Sequence, residues 1–275
     1  MNTSITEKRE LSRKRGLPGS TLKIIAVISM LVDHIAAVLI LVGIYYKFIP
    51  YAENTAMYYS SNLKTIYQLM RAVGRISFPI FCFLLVEGYV HTSNKKKYAL
   101  RLFIFALISE IPFNLAFGNK IFIPASRLNN VFFTLLLGVC VMYIIEFINS
   151  KEINIKFINN KKINKVIAAI AIIATIVVFG AIAKFIKCDF NYYGILCISL
   201  FYIFRENRLL QILSGIIVFS YLAMGSFGIV YLSLLAIYFY NGQRGLKIKY
   251  FFYVFYPAHL LILYFIRVYL ATIGA

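Results

Sequence analysis

Residues 22–44, LKIIAVISMLVDHIAAVLILVGI, indicate the fold class of this chain. As a helix rising about 1.5 Å per residue, it is long enough to cross a hydrocarbon core roughly 30 Å thick. Asp33 and His34 nevertheless stand side by side at its centre. An ionisable side chain there costs about 2.5–3.5 kcal/mol on insertion scales, so such residues usually mark a pathway or a reaction site. The stretch therefore predicts a membrane-spanning helix that carries chemistry.

Similar apolar runs recur along the 275 residues, of which 61% are hydrophobic and 14% charged. The mean hydropathy is +0.79. Repeated apolar runs of about 20 residues predict an all-α polytopic helical membrane protein, with a basic cytoplasmic tail over residues 1–21 and a single transmembrane domain over residues 22–275. We count about nine transmembrane helices, although residues 209–240 could form a re-entrant pair interrupted at Gly225 and Gly228. The predicted spans are residues 22–44, 65–90, 98–117, 130–149, 163–184, 191–204, 209–223, 226–240 and 250–271.

The positive charge is distributed as a topology signal. The chain has 29 lysines and arginines against 10 acidic residues, a net charge of +19. In a soluble protein this excess would suggest nucleic acid as a partner. Here the basic residues cluster in alternate loops, where anionic lipid attracts them. The positive-inside rule therefore predicts a cytoplasmic N-terminus and an outer C-terminus, and the expected partner is membrane lipid rather than nucleic acid.

Four cysteines are scattered singly, at Cys82, Cys140, Cys188 and Cys197. None belongs to a CxxC pair, so neither a zinc site nor a disulfide framework is supported, and we expect no metal. Three of them lie in apolar spans and are expected to be small packing residues. Cys188 falls in a loop, where it is either another packing residue or a reactive thiol.

His34 is the best candidate for proton transfer, because imidazole titrates near neutrality and can act as base and acid in turn. The alternative is a hydrogen-bonded packing histidine. Lys23 lies eleven residues earlier, which on an α-helix is about 20° from the same face and about 16.5 Å along the axis. Asp33 points about 100° away from His34, so we expect it to pair with an arginine on another helix, either as a structural ion pair or as a catalytic group.

Arg71 and Arg75 follow i, i+4 spacing in the second predicted span, which places them on one helical face. One of them is expected to neutralise Asp33 or Glu110. The other could stabilise an oxyanion or hold an anionic substrate. The alternative is that both form buried salt bridges only, since two arginines against Asp33 and Glu110 approach the neutrality that a low-dielectric bundle requires.

Further candidates lie in the later spans. Glu110, in the third span, is a second carboxylate that could orient an arginine. His259, in the last span, is either a second proton carrier or a packed histidine. Asn130 can cap the fourth span. Asp189 precedes Tyr193 in an outer loop and is either a solvated loop acid or, together with Asn130 and Tyr193, part of a substrate-binding surface.

Several stretches carry a family resemblance. They are LKIIAVISMLVDHI (22–35), GRISFPIFCFLLVEGYVHTSNKKKYALRLFIFALISEIPFNLAF (74–117), NNVFFTLLLG (129–138), DFNYYGI (189–195) and YVFYPAHLLILY (253–264). At these residues the chain resembles the TraX family of bacterial membrane proteins, whose founding member is associated with acetylation of F-pilin. The matching stretches run from the first span to the last and cover most of the chain, and the second is long and specific.

The resemblance implies a transmembrane acyltransferase that uses acyl-coenzyme A, in a bacterial cytoplasmic membrane. The spacing Lys23-x10-His34 also resembles the Arg-x10-His signature of acyltransferase-3 membrane enzymes, with lysine in place of arginine. That replacement keeps the charge but loses the bidentate fork. A coenzyme A molecule entering from the cytosol could bind along the helix face that carries Lys23 and His34. Its phosphates would lie at Lys23, and its pantetheine arm would reach toward His34.

We therefore expect a membrane-embedded acetyltransferase that moves an acetyl group from cytosolic acetyl-CoA to an envelope acceptor, either a pilin-like N-terminal amine or a glycan hydroxyl. His34 would act as base or acetyl carrier. The expected catalytic set is His34, Asp33, Arg75, Arg71, Glu110 and His259. The alternative is a proton-coupled transporter or flippase that uses the same buried polar groups. A third possibility is a noncatalytic scaffold for a secretion or conjugation assembly.

Overall fold

A computed structural model describes residues 16–45, 61–118, 129–150, 161–246 and 249–273. These ranges are almost entirely helical, and their only β-type pairings are two isolated bridges, Leu17 with Tyr240 and Asn129 with Cys188. The elements are α1 (Gly19–Ile35), a π-helical segment (Ala36–Tyr45), α2 (Ser61–Gly74), α3 (Ser77–Val90), α4 (Lys95–Gly118), α5 (Val131–Ser150), α6 (Lys161–Phe185), α7 (Asn191–Ile203), α8 (Arg208–Gly225), α9 (Tyr231–Tyr238) and α10 (Lys249–Ile273).

Seven helical stretches of the described residues are long and apolar enough to cross a membrane, with mean hydropathies from 1.5 to 2.9. They are Gly19–Ile44, Asn62–Val90, Lys95–Gly118, Val131–Ser150, Lys162–Phe185, Arg208–Gly225 and Phe251–Ile273. The chain is thus a multi-pass helical membrane protein. The two other predicted spans, at residues 191–204 and 226–240, are present as α7 with 13 residues and α9 with 8 residues. Both are shorter than the roughly 20 residues that a full crossing requires.

The second predicted span, residues 65–90, is interrupted at its middle. α2 ends at Gly74, and α3 begins at Ser77. The intervening amides of Arg75 and Ile76 donate to carbonyls three residues earlier, over 3.2 and 3.1 Å, which is a tighter turn than the α-helix. The Ser77 hydroxyl donates to the freed Gly74 carbonyl over 2.8 Å. Arg75 therefore lies in the turn just after the helix that carries Arg71, and the charges of both arginines act on Asp33.

The fold divides into two compact units. The first unit comprises Met1–Leu84, Ile111–Phe122 and Gly215–Ala275, and in it α1 packs against α2 and α10. The large side chains of its core include Phe78, Phe83 and Phe219. An arrangement in which the first and last helices are neighbours places Asp33, His34 and His259 within one unit.

The second unit comprises Leu85–Glu110 and Ile123–Ser214, and α5, α6 and α7 pack against one another there. Close approach of α5 and α7 depends on Gly138, since a Cβ at that position would lie 2.5 Å from Ile198 Cδ1. Small residues at helix contacts are a common means of packing membrane helices. On α6 most residues are exposed, and most of the exposed residues are apolar, as expected for a helix surface that faces lipid.

Candidate functional site

Two histidines from opposite ends of the chain meet in the first unit. His34, near the end of α1, and His259, in the middle of α10, are joined through Nδ1 and Nε2 over 2.6 Å. Their ring planes differ by 16°, so the bond lies nearly in the plane of both rings. The exposed fractions are 9% for His34 and 4% for His259. Both imidazoles therefore face the protein interior rather than lipid.

A backbone carbonyl determines which nitrogens of the pair carry protons. His259 Nδ1 lies 2.7 Å from the carbonyl oxygen of Phe255, which can only accept a hydrogen bond, so Nδ1 carries the proton. In the neutral ring, His259 Nε2 then has the lone pair and accepts from His34 Nδ1–H. The remaining nitrogen, His34 Nε2, is therefore unprotonated. It is the atom of this pair that can take a proton or attack a carbonyl carbon.

Aromatic side chains surround the pair. Phe117 and Tyr256 meet the His34 ring edge-on, with centroids 5.8 and 5.9 Å away. Phe255 stacks on His259 at 4.7 Å. Their surfaces exclude water and strengthen electrostatic interactions inside the site. The π-helical segment begins two residues after His34, and such departures from α-helix occur frequently at functional sites.

Asp33, the neighbour of His34, forms an ion pair with Arg71 over 2.5 Å, which confirms the predicted pairing with an arginine on another helix. Arg75 also acts on this carboxylate electrostatically. The second carboxylate oxygen, Asp33 Oδ1, is buried and accepts no hydrogen bond from the described residues. A Cβ at Gly74 would collide with this side chain. Asp33 and its arginines thus occupy a space that only a glycine at position 74 leaves open.

The other predicted catalytic carboxylate, Glu110, belongs to the second unit. Its Oε2 accepts a hydrogen bond from Asn130 Nδ2 over 2.6 Å, and the same amide donates to the carbonyl of Ala106. Asn130 Oδ1 accepts from the amide of Phe132 over 3.1 Å, so the predicted cap of the fourth span is confirmed. Both amide protons of Asn130 are used inside the protein, which favours a structural role over substrate binding.

Asp189 and Tyr193 flank the start of α7 in the same unit. Asp189 Oδ1 accepts from the amide of Phe190 over 3.0 Å, and its backbone carbonyl accepts from Thr134. Tyr193 contacts Tyr192, with ring centroids 4.3 Å apart. Three non-glycine residues near here, at positions 187, 190 and 191, have positive φ angles. The structure therefore joins Asn130, Asp189 and Tyr193 to the second unit, while the histidine pair lies in the first.

The loop cysteine of this segment, Cys188, is fully buried. Burial raises the pKa of its thiol to about 11, so the thiol stays protonated at neutral pH. This favours the packing alternative over the reactive one. Among the described residues, no group of three or more histidine, cysteine and acidic side chains is arranged to hold a metal ion.

Lys23, the predicted donor-binding residue, lies on the same α-helix as His34. Its ammonium group stands over the ring of Phe252 at 5.3 Å from the centroid. Arg244 acts on it electrostatically. Arg244 was not among the predicted site residues, because its position in a basic loop predicted only membrane topology.

Two further residues of the first unit were missed. Gly74 gave no signal beyond being a glycine beside an arginine. Arg267 was not among the predicted site residues, but it is 1% exposed, and its guanidinium donates to the carbonyls of Ala116 and Leu115 over 2.5 and 3.0 Å. The signal that could have found Arg267 is its place inside an apolar helix, where a charge needs a partner.

Comparison with known proteins adds two findings. The TraX protein family matches residues 18–267. The "Probable fimbrial assembly protein FimC, serogroup H1" of Dichelobacter nodosus is 26% identical in an alignment of 280 positions that covers 92% of this chain and 97% of that protein. No solved structure matches the chain significantly. The family match spans both compact units and includes Asp33, His34 and His259.

Proposed function

The chain belongs to the TraX family, and from this membership and the histidine pair we propose that it is a membrane-embedded acetyltransferase. It moves an acetyl group from cytosolic acetyl-CoA, the donor substrate, to an acceptor in the cell envelope. The observation that carries the proposal is the 2.6 Å bond between His34 Nδ1 and His259 Nε2. That bond leaves His34 Nε2 unprotonated at a buried position, which is what a general base requires.

In direct transfer, His34 Nε2 removes the proton from the acceptor amine or hydroxyl while the acceptor atom attacks the thioester carbonyl carbon. The tetrahedral intermediate collapses, and the carbon–sulfur bond breaks. The coenzyme A thiolate leaves and takes the proton from His34 Nε2, so the histidine returns to its starting state. During the step His34 carries an extra positive charge, which its Nδ1–H shares with His259 through the short hydrogen bond.

In the alternative route, His34 Nε2 attacks the thioester itself. A carbon–nitrogen bond forms, the carbon–sulfur bond breaks, and the thiolate leaves. The His34 Nδ1 proton passes to His259 Nε2 and from there to the thiolate, so that acetyl-His34 and His259 are both neutral and coenzyme A leaves as the free thiol. The acceptor then attacks the acetyl carbon, and its own proton restores the histidine pair. Both routes use the same unprotonated nitrogen.

Arg71 and Arg75 supply positive charge beside α1, the helix that carries His34. Arg71 is held by Asp33 over 2.5 Å, and Arg75 acts on the same carboxylate from the turn after α2. In this proposal Arg75 stabilises the oxyanion that develops on the thioester oxygen, and the ion pair of Asp33 with Arg71 holds Arg75 in place. A preorganised cation in a water-poor site is the usual source of such stabilisation.

The proposal includes a topology. Nine crossings, in which α7 and α9 cross together with the residues that flank them, agree with the positive-inside distribution of lysine and arginine. The N-terminus is then cytoplasmic and the C-terminus lies outside, in the bacterial cytoplasmic membrane. In this orientation the N-terminal end of α1 faces the cytosol, where acetyl-CoA is made. The donor enters from that end, and the acceptor is modified at the level of His34.

The name of one relative supports a choice of acceptor class. The Dichelobacter nodosus protein carries the name of a fimbrial assembly protein, and fimbriae are built from pilin subunits. A pilin-like N-terminal amine is therefore the first acceptor to test, and a hydroxyl of an envelope glycan is the second. Both offer a heteroatom whose proton His34 can remove.

The experiment uses the full chain in lipid nanodiscs with labelled acetyl-CoA and membrane fractions containing pilin or glycan. We expect His34→Ala to lower acetyl transfer by about 10²–10⁴-fold, the usual contribution of a general base. His91→Ala is the matched control, because His91 is an exposed histidine with 72% of its side chain accessible. Its transfer rate should equal that of the wild type.

Two results would contradict the proposal. One is wild-type turnover in His34→Ala with normal folding, as judged by an unchanged elution profile and melting temperature. The other is movement of a substrate across the membrane by the wild type without any acetyl-CoA, which would favour a transporter that uses the same polar groups.

A further inference from the structure

Two cations stand close together at the start of α1, in the first unit. Gly19 and Lys23 are four residues apart and share a helix face. The loop that contains Arg244 lies against that face, because the amide of Gly19 donates to the carbonyl of Gln243 over 2.7 Å. The positive charge of Arg244 acts on the ammonium of Lys23 and repels it.

The loop is held firmly against the helix. The amide of Leu17 donates to the carbonyl of Phe239 over 2.8 Å, and the amide of Asn241 donates back to Leu17 over 3.1 Å. Asn241 Nδ2 donates to the carbonyl of Gly16 over 3.0 Å. The two cations are therefore brought together by backbone pairing and not by chance contact of long side chains. Holding like charges in a fixed arrangement suits a site for an anion.

The described part of this unit offers no carboxylate to neutralise them. Its single acidic side chain is Asp33, which lies ten residues further along the same helix and is paired with Arg71. Ten residues correspond to about 15 Å. A bound anion would compensate the two cations, which have no acidic partner among the residues that the structure describes. The first turn of α1 is also free of acidic residues, which favours negative charge at this helix end.

The position of this pair relative to His34 indicates the kind of anion. Lys23 and His34 lie on one unbroken α-helix, about 16.5 Å apart along its axis and about 20° apart around it. A molecule with phosphates at one end and a reactive group at the end of a long, thin arm would span the two sites. Coenzyme A thioesters have this construction.

We propose that Lys23 and Arg244 together form a phosphate-binding site, and, resting on the proposed function, that this site holds the phosphates of the acyl-CoA donor. The guanidinium of Arg244 supplies the planar fork that a lysine at position 23 lacks. Lys23 contributes a point charge and is steadied by the ring of Phe252. The loop at residues 241–245, whose Arg244 served only as a topology signal in the sequence, thereby becomes part of the donor site.

The test measures binding of coenzyme A to the full chain in phosphatidylcholine nanodiscs by calorimetry. We expect Arg244→Gln and Lys23→Gln each to raise the Kd about tenfold, which corresponds to about 1.4 kcal/mol. Lys64→Gln is the control, since Lys64 is an exposed cation of the same unit on α2. In acetyl transfer, Arg244→Gln should raise KM for acetyl-CoA and leave kcat unchanged, and Arg244→Lys should recover part of the loss.

A second arm separates the donor from a lipid headgroup, which presents the same phosphate chemistry. The melting temperature is measured with and without phosphatidylglycerol in the nanodiscs. If Arg244→Gln abolishes a stabilisation by phosphatidylglycerol but leaves the Kd for coenzyme A unchanged, the site holds a lipid phosphate and the donor assignment is overturned. If neither quantity changes, the phosphate site itself is overturned. If the wild type does not bind coenzyme A, the proposed function fails, and the lipid arm alone decides the phosphate site.

Discussion

The missing Cβ of Gly74 makes room for the polar cluster around Asp33. A Cβ at this position would overlap the Asp33 side chain, which pairs with Arg71 in the space that the glycine leaves. The overlapped atoms belong to a short side chain that is fixed by its ion pair. The collision therefore cannot be relieved by a small rotation.

We predict that Gly74→Ala lowers the free energy of unfolding by about 1–3 kcal/mol, the usual cost of overpacking, and reduces acetyl transfer as well. The measurement is the melting temperature and the transfer rate of the variant in nanodiscs. Gly225→Ala is the matched control, because a Cβ there has no neighbour within 4 Å. Equal behaviour of the two variants would show that the close approach of Gly74 to Asp33 does not matter.

The sequence identified individual polar residues better than their partners. Asp33 and His34 stand out because charge is costly in lipid, and that argument needs no structure. The partner of His34 is 225 residues away, and the partner of Asp33 is 38 residues away. Such distant pairings depend on which helices pack together, and one sequence does not determine them. Glu110 and Asn130, expected near the histidine site or the substrate, were found in the second unit bonded to each other.

Arg267 stabilises the end of a whole helix, because its guanidinium donates hydrogen bonds to the last carbonyls of α4. The last carbonyls of a helix have no intrahelical donor, and the guanidinium supplies two of the missing hydrogen bonds. The same end of α4 carries Phe117, which forms one wall around His34. The arginine thus fixes the helix end that shapes the histidine pocket.

We predict that Arg267→Met costs about 1–3 kcal/mol, because it leaves buried carbonyls without donors. Arg267→Lys should retain part of the stability, since an ammonium can reach one carbonyl but lacks the fork. Chemical denaturation in detergent micelles measures both variants, with Lys64→Met as an exposed control. If Arg267→Met unfolds at the wild-type denaturant concentration, the proposed cap contributes nothing.

Helix positions were predicted well and helix interruptions were not. Every predicted span overlaps a helix, because hydropathy reports burial in lipid directly. The break at residues 75–76 was not predicted, since the mean hydropathy of a span does not report where its helix is interrupted. The predicted interruption after α8 is present, where the helix ends at Gly225 and Gly228 has a φ of 74°. There the glycines themselves carried the signal.

At the scale of the whole molecule, the number of crossings decides on which side Arg205 and Arg208 lie. With the N-terminus inside, seven crossings leave α7 and residues 205–208 on the outer side. Nine crossings, which include α7 and the segment around α9, place those residues inside. Both counts keep Arg244 on the inner side and the C-terminus outside. The distribution of basic residues favours nine, because Arg205 and Arg208 then join the other inner clusters.

We predict that a cysteine at Glu206, whose side chain is 87% accessible, is reached only from the cytosol. The test replaces the four native cysteines and introduces Glu206→Cys, then treats intact cells with a maleimide that does not cross membranes. Labelling should appear only after permeabilisation. Lys184→Cys and Lys96→Cys are the outer and inner references, since both counts place them on fixed sides. Labelling of position 206 in intact cells would establish seven crossings, in which case α7 folds back on the outer side because its 13 residues are too short to reach across the membrane.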